Sequence, residues 1–218
     1  MIVIFGSSGH TKVVIDIVEK ESLHNIYGLI GEKKDSEHDL MGYQIVGTEK
    51  DLKELRSKNN ISGGIIGIGD NWLRKTVRDK ILDNLPDFNF LSCIHPSALI
   101  ANDVQIGKGT VIMPGAIVNS GSVVHEHCIL NTKCSIDHDS VLGEFSSLAP
   151  GATVGGNVKI GKYSAISLGA NVLQNMVIGE HSVIGAGSLV NKNIDDLSVN
   201  YGIPARFIRT RNVGDKYL

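Results

Sequence analysis

The chain has 218 residues, 42% of them hydrophobic, with 21 basic and 23 acidic side chains and a formal net charge of -2. That length suits one large domain or two small ones, and the apolar share excludes a disordered chain. The charge balance offers no basic face for nucleic acid, and no stretch approaches the roughly 18 apolar residues of a membrane span.

The N-terminus "MIVIFGSSGH" enters a strand at once, without the basic region and long apolar core of a signal peptide, so a cytoplasmic location is expected. Met1 to Phe5 reads as a parallel strand buried on both faces. From Lys12 the spacing of Val13, Val14, Ile17 and Val18 is helical. "IYGLI" (Ile26 to Ile30) is a second strand, "DLKELRS" a helix, Gly63 to Asp70 a third strand, and "NWLRKTVRDKILDNL" another helix. Alternating strands and helices imply a small parallel sheet that binds ligands at its strand C-termini. "GSSGHTK" presents glycines and backbone N–H groups at a helix start, where a phosphate is favoured. It matches neither a Walker A nor GxGxxG, and a plain strand-to-helix turn stands as the equal alternative.

From Ile94 the chain can be cut every six residues. All seventeen leading residues, Ile94 through Val190, are Ile, Leu or Val, and the fifth positions are mostly small (Ala98, Ala116, Cys128, Cys134, Ser140, Ser146). Glycine recurs at the second position, as in Gly107, Gly143, Gly155 and Gly161. Period six fits neither a helix nor an ordinary strand, but it fits a solenoid of short strands and turns, with the glycine expected to permit the turn. Three hexads make one flat-sided coil, so 94–194 holds between five and six coils. The organisation expected is mixed: an α/β domain over 1–92, a parallel β-helix over 93–194, and a C-terminal tail over 195–218. Cys93, Cys128 and Cys134 are expected as reduced core residues, since their count is odd and no CxxC occurs.

"SIDHDS" places His138 third in its hexad, near a turn, so its side chain should face outward. One coil on stands Gly156 and one coil back Ser120. A residue without a side chain beside the imidazole leaves room for an acyl group and offers a backbone N–H to an oxyanion. Read from spacing alone, His138 is a base or a solvated turn residue.

"FGSSGHTKVV", then "IGIGDN", then "IHPSALI" opening the hexads, resembles the bacterial sugar acetyltransferases of the hexapeptide-repeat superfamily over nearly the whole chain. That group holds UDP-4-amino-sugar N-acetyltransferases of the bacillosamine type and sialic acid O-acetyltransferases; "ILNTKCSIDHDSVLGEF" looks closer to the former. The resemblance implies a left-handed helix, where general crossover rules would favour the right hand. It also implies a homotrimer with acetyl-CoA between neighbouring helices and a nucleotide-sugar on the N-terminal unit. It makes His138 the catalytic base and Asp139 its acidic partner. Ser147, Gly156, Leu168 and Ala186 fall on the acetyl-CoA path; Ser8, Gly9, His10, Glu32, Gly69 and Asn131 fall on the sugar nucleotide. Arg206, Arg209 and Arg211 could meet coenzyme phosphates or form a solvated basic tail.

Two departures stand out. Ser147 occupies a position that is histidine in many relatives, and "LIGEKKD" lacks their paired aspartates, leaving Glu32 as the nearest carboxylate. The reading is an acetyl-CoA-dependent N-acetyltransferase of a UDP-4-amino-4,6-dideoxysugar. The alternatives are O-acetylation of sialic acid or another sugar, a GDP-amino-sugar acceptor, or a scaffold or sensor without activity. No metal is expected: His125, Glu126 and His127 in "VHEHC" read as a polar turn, with a subunit interface possible, and His95 reads as structural. A γ-carbonic anhydrase is discounted because Ser120 and Gly156 supply no imidazole beside His138.

Overall fold

β1 (Ile2–Phe5) is buried along its whole length at the second-last place of a five-stranded sheet. The structure is a computed structural model and describes residues 1–32 and 39–216. After β1 come α1 (Gly9–Glu21), β2 (Ile26–Ile30), β3 (Asp39–Leu40), β4 (Tyr43–Gly47), α2 (Leu52–Asn59), β5 (Gly63–Ile66) and α3 (Asn71–Asn84). The sheet order is β3-β4-β2-β1-β5, parallel except for the β3–β4 hairpin. That hairpin carries no strong alternation and is not expected from the sequence. Helix α1 begins at Gly9, three residues before the apolar periodicity does, and β5 ends at Ile66, short of Asp70. Beyond Glu32 the "KKD" of "LIGEKKD" lies outside the described residues.

Successive residues of a strand point to opposite faces, and β1 divides its side chains that way. Val3 and Phe5 pack with Leu52, Val77, Ile81 and Phe88. Ile2 and Ile4 pack with Val14 and Ile17 of α1 and with Cys93, Val111, Met113 and Ile129 beyond the sheet. The second set belongs to the solenoid, so the two halves share a core.

Seventeen two-residue strands follow, from Cys93–Ile94 to Leu189–Val190, in three parallel sheets. Each strand pairs with the one three hexads further on, as Ile117↔Ser135 and Val123↔Val141 show. This is the left-handed parallel β-helix. We call the sheet of Cys93–Ile94, Val111–Ile112 and Ile129–Leu130 the first face. The sheet of Leu99–Ile100, Ile117–Val118 and Ser135–Ile136 is the second face, and that of Gln105–Ile106 and Val123–Val124 the third. The hexad-leading residues fill the interior: Leu130, Leu148, Ile166, Ile184 and Val190 are wholly buried, with Cys134, Ala152 and Ala170 between them. Fifth-position serines satisfy the corners. Ser140 Oγ donates to Gly155 O (3.0 Å) and accepts from Val158 N (3.0 Å), as buried backbone requires.

The turn conformation corrects one expectation. Where a hexad has a left-handed residue it is the fourth, as at Asp139 and Phe145 (both φ 57). The second-position glycines are required by crowding instead. A Cβ at Gly143 would stand 2.8 Å from Lys162 N of the next coil.

Residues Ser198–Gly202 continue the first face beside Val183–Ile184 and turn back antiparallel to Ala205–Thr210. The expected tail is therefore largely a hairpin closing the solenoid. No helix among the described residues is long and apolar enough to cross a membrane.

Candidate active site

His138 stands on the corner between the second and third faces, exposed as expected. Its Nδ1 lies 2.8 Å from Asp139 Oδ2. A carboxylate only accepts, so Nδ1–H donates and the neutral ring keeps its lone pair on Nε2. Asp139 takes the left-handed turn position, and its N–H donates to Ser120 O at 3.0 Å. The bond to Asp139, then the field of Asp137, holds the His138 pKa above its ordinary 6.5. Gly156 is buried beneath the ring: a Cβ there would meet Nε2 at 2.6 Å.

A second group of residues gathers elsewhere. His10, Gly69, Asn131, Ser147 and Leu168 line a cavity of about 290 Å³, walled also by Ile129, Pro150 and Ile166. It opens where the N-terminal unit meets the first face and the corner between the first and second faces. His10 Nε2 is shielded from water without a hydrogen-bond partner among the described residues. Burial, then the Arg74 charge, pulls the His10 pKa down to about 4, so the ring is neutral at pH 7. Asn131 Oδ1 accepts from Thr132 N at 3.0 Å. Ala186 is exposed on the same corner as Leu168.

Other expected residues are not brought to this cavity. Ser8 and Gly9 are exposed at the start of α1, where Ser8 N–H donates to Thr11 Oγ1 (3.1 Å). Glu32 lies in a separate cleft of about 670 Å³ with Thr48, Lys50 and Lys80. Arg211 is buried and donates to the carbonyls of His181 and Asp215, so it faces inward rather than toward a coenzyme. Arg206 and Arg209 remain exposed.

The "VHEHC" turn also differs from expectation. His127 is buried, stacked on Phe145 at 4.8 Å between ring centres and 11° between planes. Phe145 stacks on Tyr163, and Tyr163 on His181, one ring per coil. Trp72 of α3 meets Tyr163 edge-on. The recurrence of a ring at the fourth position of every third hexad is the sequence signal for this ladder. Among the described residues no three His, Cys, Asp or Glu side chains are arranged to hold a metal.

Sequence reasoning also passes over Arg74. Its side chain is wholly buried, and Nε donates to His127 O (2.8 Å). Nη1 donates to Ile68 O (3.0 Å) and Gly69 O (2.9 Å), and Nη2 to Asn71 Oδ1 (2.9 Å) and Phe145 O (3.0 Å). One guanidinium thus joins the Gly69 loop beside His10 to two coils of the solenoid.

Residues 1–81 match the family model of the PglD N-terminal domain. The chain is 32% identical over 113 residues to UDP-N-acetylbacillosamine N-acetyltransferase of Bacillus subtilis, covering 51% of this chain and 50% of that one, so the match spans half the relative's length. PerB of Caulobacter crescentus, solved with CoA and GDP-perosamine, superposes with a TM-score of 0.88 at 31% identity, covering 95% of this chain and 97% of that one. The acetyltransferase domain of PglB from Neisseria gonorrhoeae, solved with acetyl coenzyme A, gives 0.85 at 27% identity, covering 95% and 98%. Similarity along the full length, through both the α/β unit and the coils that carry His138, means that the chain belongs to the bacterial sugar acetyltransferase family of the hexapeptide-repeat superfamily.

Proposed function

We propose that this chain transfers the acetyl group of acetyl-CoA to the amine of a nucleoside-diphosphate 4-amino-4,6-dideoxysugar, with a UDP-sugar as the first acceptor to test. The observation that carries the reading is the His138–Asp139 pair set over Gly156. The amine nitrogen attacks the thioester carbonyl carbon and loses a proton to His138 Nε2. The C–N bond forms, the C–S bond breaks, and the leaving sulfur takes the proton from the imidazolium. The products are the N-acetylated sugar nucleotide and free CoA. Asp139 fixes the tautomer and steadies the imidazolium, while the Gly156 amide serves the oxyanion. Cys128 and Cys134 are buried and their thiols pushed up to about 12, which supports direct attack without a cysteine acyl-enzyme.

In this reading residues 1–92 hold the sugar nucleotide, with His10, Gly69 and Asn131 at the sugar and Ser8, Gly9 and Glu32 toward its nucleotide. Residues 93–194 hold acetyl-CoA along Ser147, Leu168 and Ala186, and 195–218 follow as the C-terminal tail. His138 and the His10 cavity stand on different corners of one prism. A neighbouring copy presenting its His138 corner to this cavity would complete the site, which supports a homotrimer. A cytoplasmic location belongs to the same reading. GDP-linked acceptors form the second reading, because the PerB complex holds GDP-perosamine. The Bacillus relative is named for N-acetylation, which favours an amine over the hydroxyl of a sialic acid.

The test follows thiol release from acetyl-CoA with UDP- and GDP-linked 4-amino-4,6-dideoxyhexoses, for wild type and His138→Ala. Turnover that falls at least about a hundredfold in the variant, with acetyl-CoA still bound, supports the reading. Tight acetyl-CoA binding without turnover on either acceptor would sink the acceptor class, and no binding would sink the activity.

A further inference from the structure

Asn119 sits one coil below Asp137, at the same place on the corner between the second and third faces. Asn119 Nδ2 donates to Asp137 Oδ1 at 2.9 Å. The same oxygen accepts from the His138 backbone N–H at 2.9 Å. A side-chain oxygen held from two directions is a stiff support, and it bears on the backbone N–H of the residue that carries the imidazole.

We propose that Asp137 is a positioning residue for His138: clamped by Asn119, it fixes the backbone that carries the imidazole and places a second carboxylate beside a ring already bonded to Asp139. The inference rests on the reading of His138 as the base.

The surroundings single Asp137 out. On the histidine's own turn the charged groups are Asp137 and Asp139. The coil below presents Ser120, whose hydroxyl donates to Asp103 Oδ2 (2.8 Å); that oxygen also accepts from Gly121 N (3.0 Å). The coil above presents Gly156 and Asn157, and Asn157 donates to Asn175 (2.8 Å). Asp103 is thus engaged with its own neighbours. Asp139 bonds the ring directly, and Asp137 works through the backbone and through its field. The raised His138 pKa agrees, with Asp137 second among its causes. A base next to two carboxylates forms its imidazolium more readily as the amine gives up its proton.

Asp137→Asn keeps an oxygen able to accept both bonds and removes only the charge. Asp137→Ala removes both. The experiment measures kcat/KM against pH for the wild type and these two variants, with His138→Ala as control and a thermal melt of each. In Asp137→Asn the acid limb should move to lower pH while the high-pH plateau stays within about threefold. In Asp137→Ala the plateau should fall about tenfold through kcat, with the KM for acetyl-CoA unchanged. Superimposable profiles for wild type and Asp137→Asn would overturn the electrostatic part. A full plateau in Asp137→Ala would overturn the clamp. A lower plateau traced to a lower melting temperature and restored on cooling would make Asp137 only structural. If His138→Ala itself keeps full activity, the reading of the base fails first, an outcome distinct from the others.

Discussion

The imidazole of His138 lies on Gly156, one coil away: a Cβ added to that glycine would stand 2.6 Å from Nε2 and 2.7 Å from Cε1. Gly156 has no left-handed backbone angle, and the three nearest atoms that an added Cβ would meet all belong to the ring. Gly156→Ala should therefore fold with a near-wild-type melting temperature and lose at least about tenfold in kcat, some 1.4 kcal/mol of barrier. Steady-state kinetics beside a thermal melt checks this, and unchanged kcat would mean the ring is not fixed there during turnover.

The imidazole accepts a proton only when neutral. Its pKa is held above 6.5, chiefly by the bond to Asp139. Activity should rise with pH through a midpoint above 6.5 and fall as acid protonates the ring. Asp139→Asn keeps an oxygen that can accept the Nδ1–H bond but removes the carboxylate charge, so the midpoint should move down. The plateau should drop about tenfold or more, because the imidazolium loses its counter-charge. A pH profile of kcat/KM for both proteins decides it.

Buried His127 makes stability depend on pH in a definite direction. Burial, reinforced by the Arg74 and Arg78 charges, pulls its pKa from 6.5 down to about 3. The unfolded chain takes up this proton below 6.5 and the folded chain does not. Its contribution is complete above 6.5 and is lost as pH falls from there toward 3. By linkage the loss at pH 5 is about 2 kcal/mol. His10, pulled to about 4, adds to the same trend. His127→Phe should flatten the decline, since Phe145 already holds a phenyl ring at the same turn position. Urea midpoints at pH 7 and pH 5 for both proteins measure it.

Arg74→Leu should destabilise the protein by at least about 3 kcal/mol, because it strips buried carbonyls of their donors. The loss should separate the halves: the KM for the sugar nucleotide rises several-fold, while acetyl-CoA binding, which depends on the coils, changes little. Denaturant midpoints and the two KM values test this. Equal loss at both substrates would contradict it.

The solenoid is legible because its interior is narrow and repeats. Each hexad turns one branched aliphatic toward the interior, and seventeen do so in register from Ile94 to Val190, with Ile94, Ile100 and Ile106 only partly buried. The same spacing places Gly156 beside His138, since three hexads complete one coil and bring Ser135 against Thr153. The shared core of Ile2, Ile4, Val111 and Ile129 is not legible, because the outward residues of the first face read as ordinary alternation until a sheet covers them. His127 looks like a solvated turn for the same reason, although its ring is clasped between Phe90 and Phe145.

Covalent spacing along the chain is enough to dictate the coil, its register, and the place of Gly156 beside His138, while Asp139 as the partner of the imidazole is what the family resemblance implies. Spacing is not enough to bring His10, Asn131 and Ser147 into one cavity or to leave Glu32 outside it. Nor does it place His138 on another corner from that cavity, or set Arg74 between the two halves. Those relations depend on how the α/β unit docks on the solenoid, and docking is set by the shapes of two surfaces with no common period along the chain.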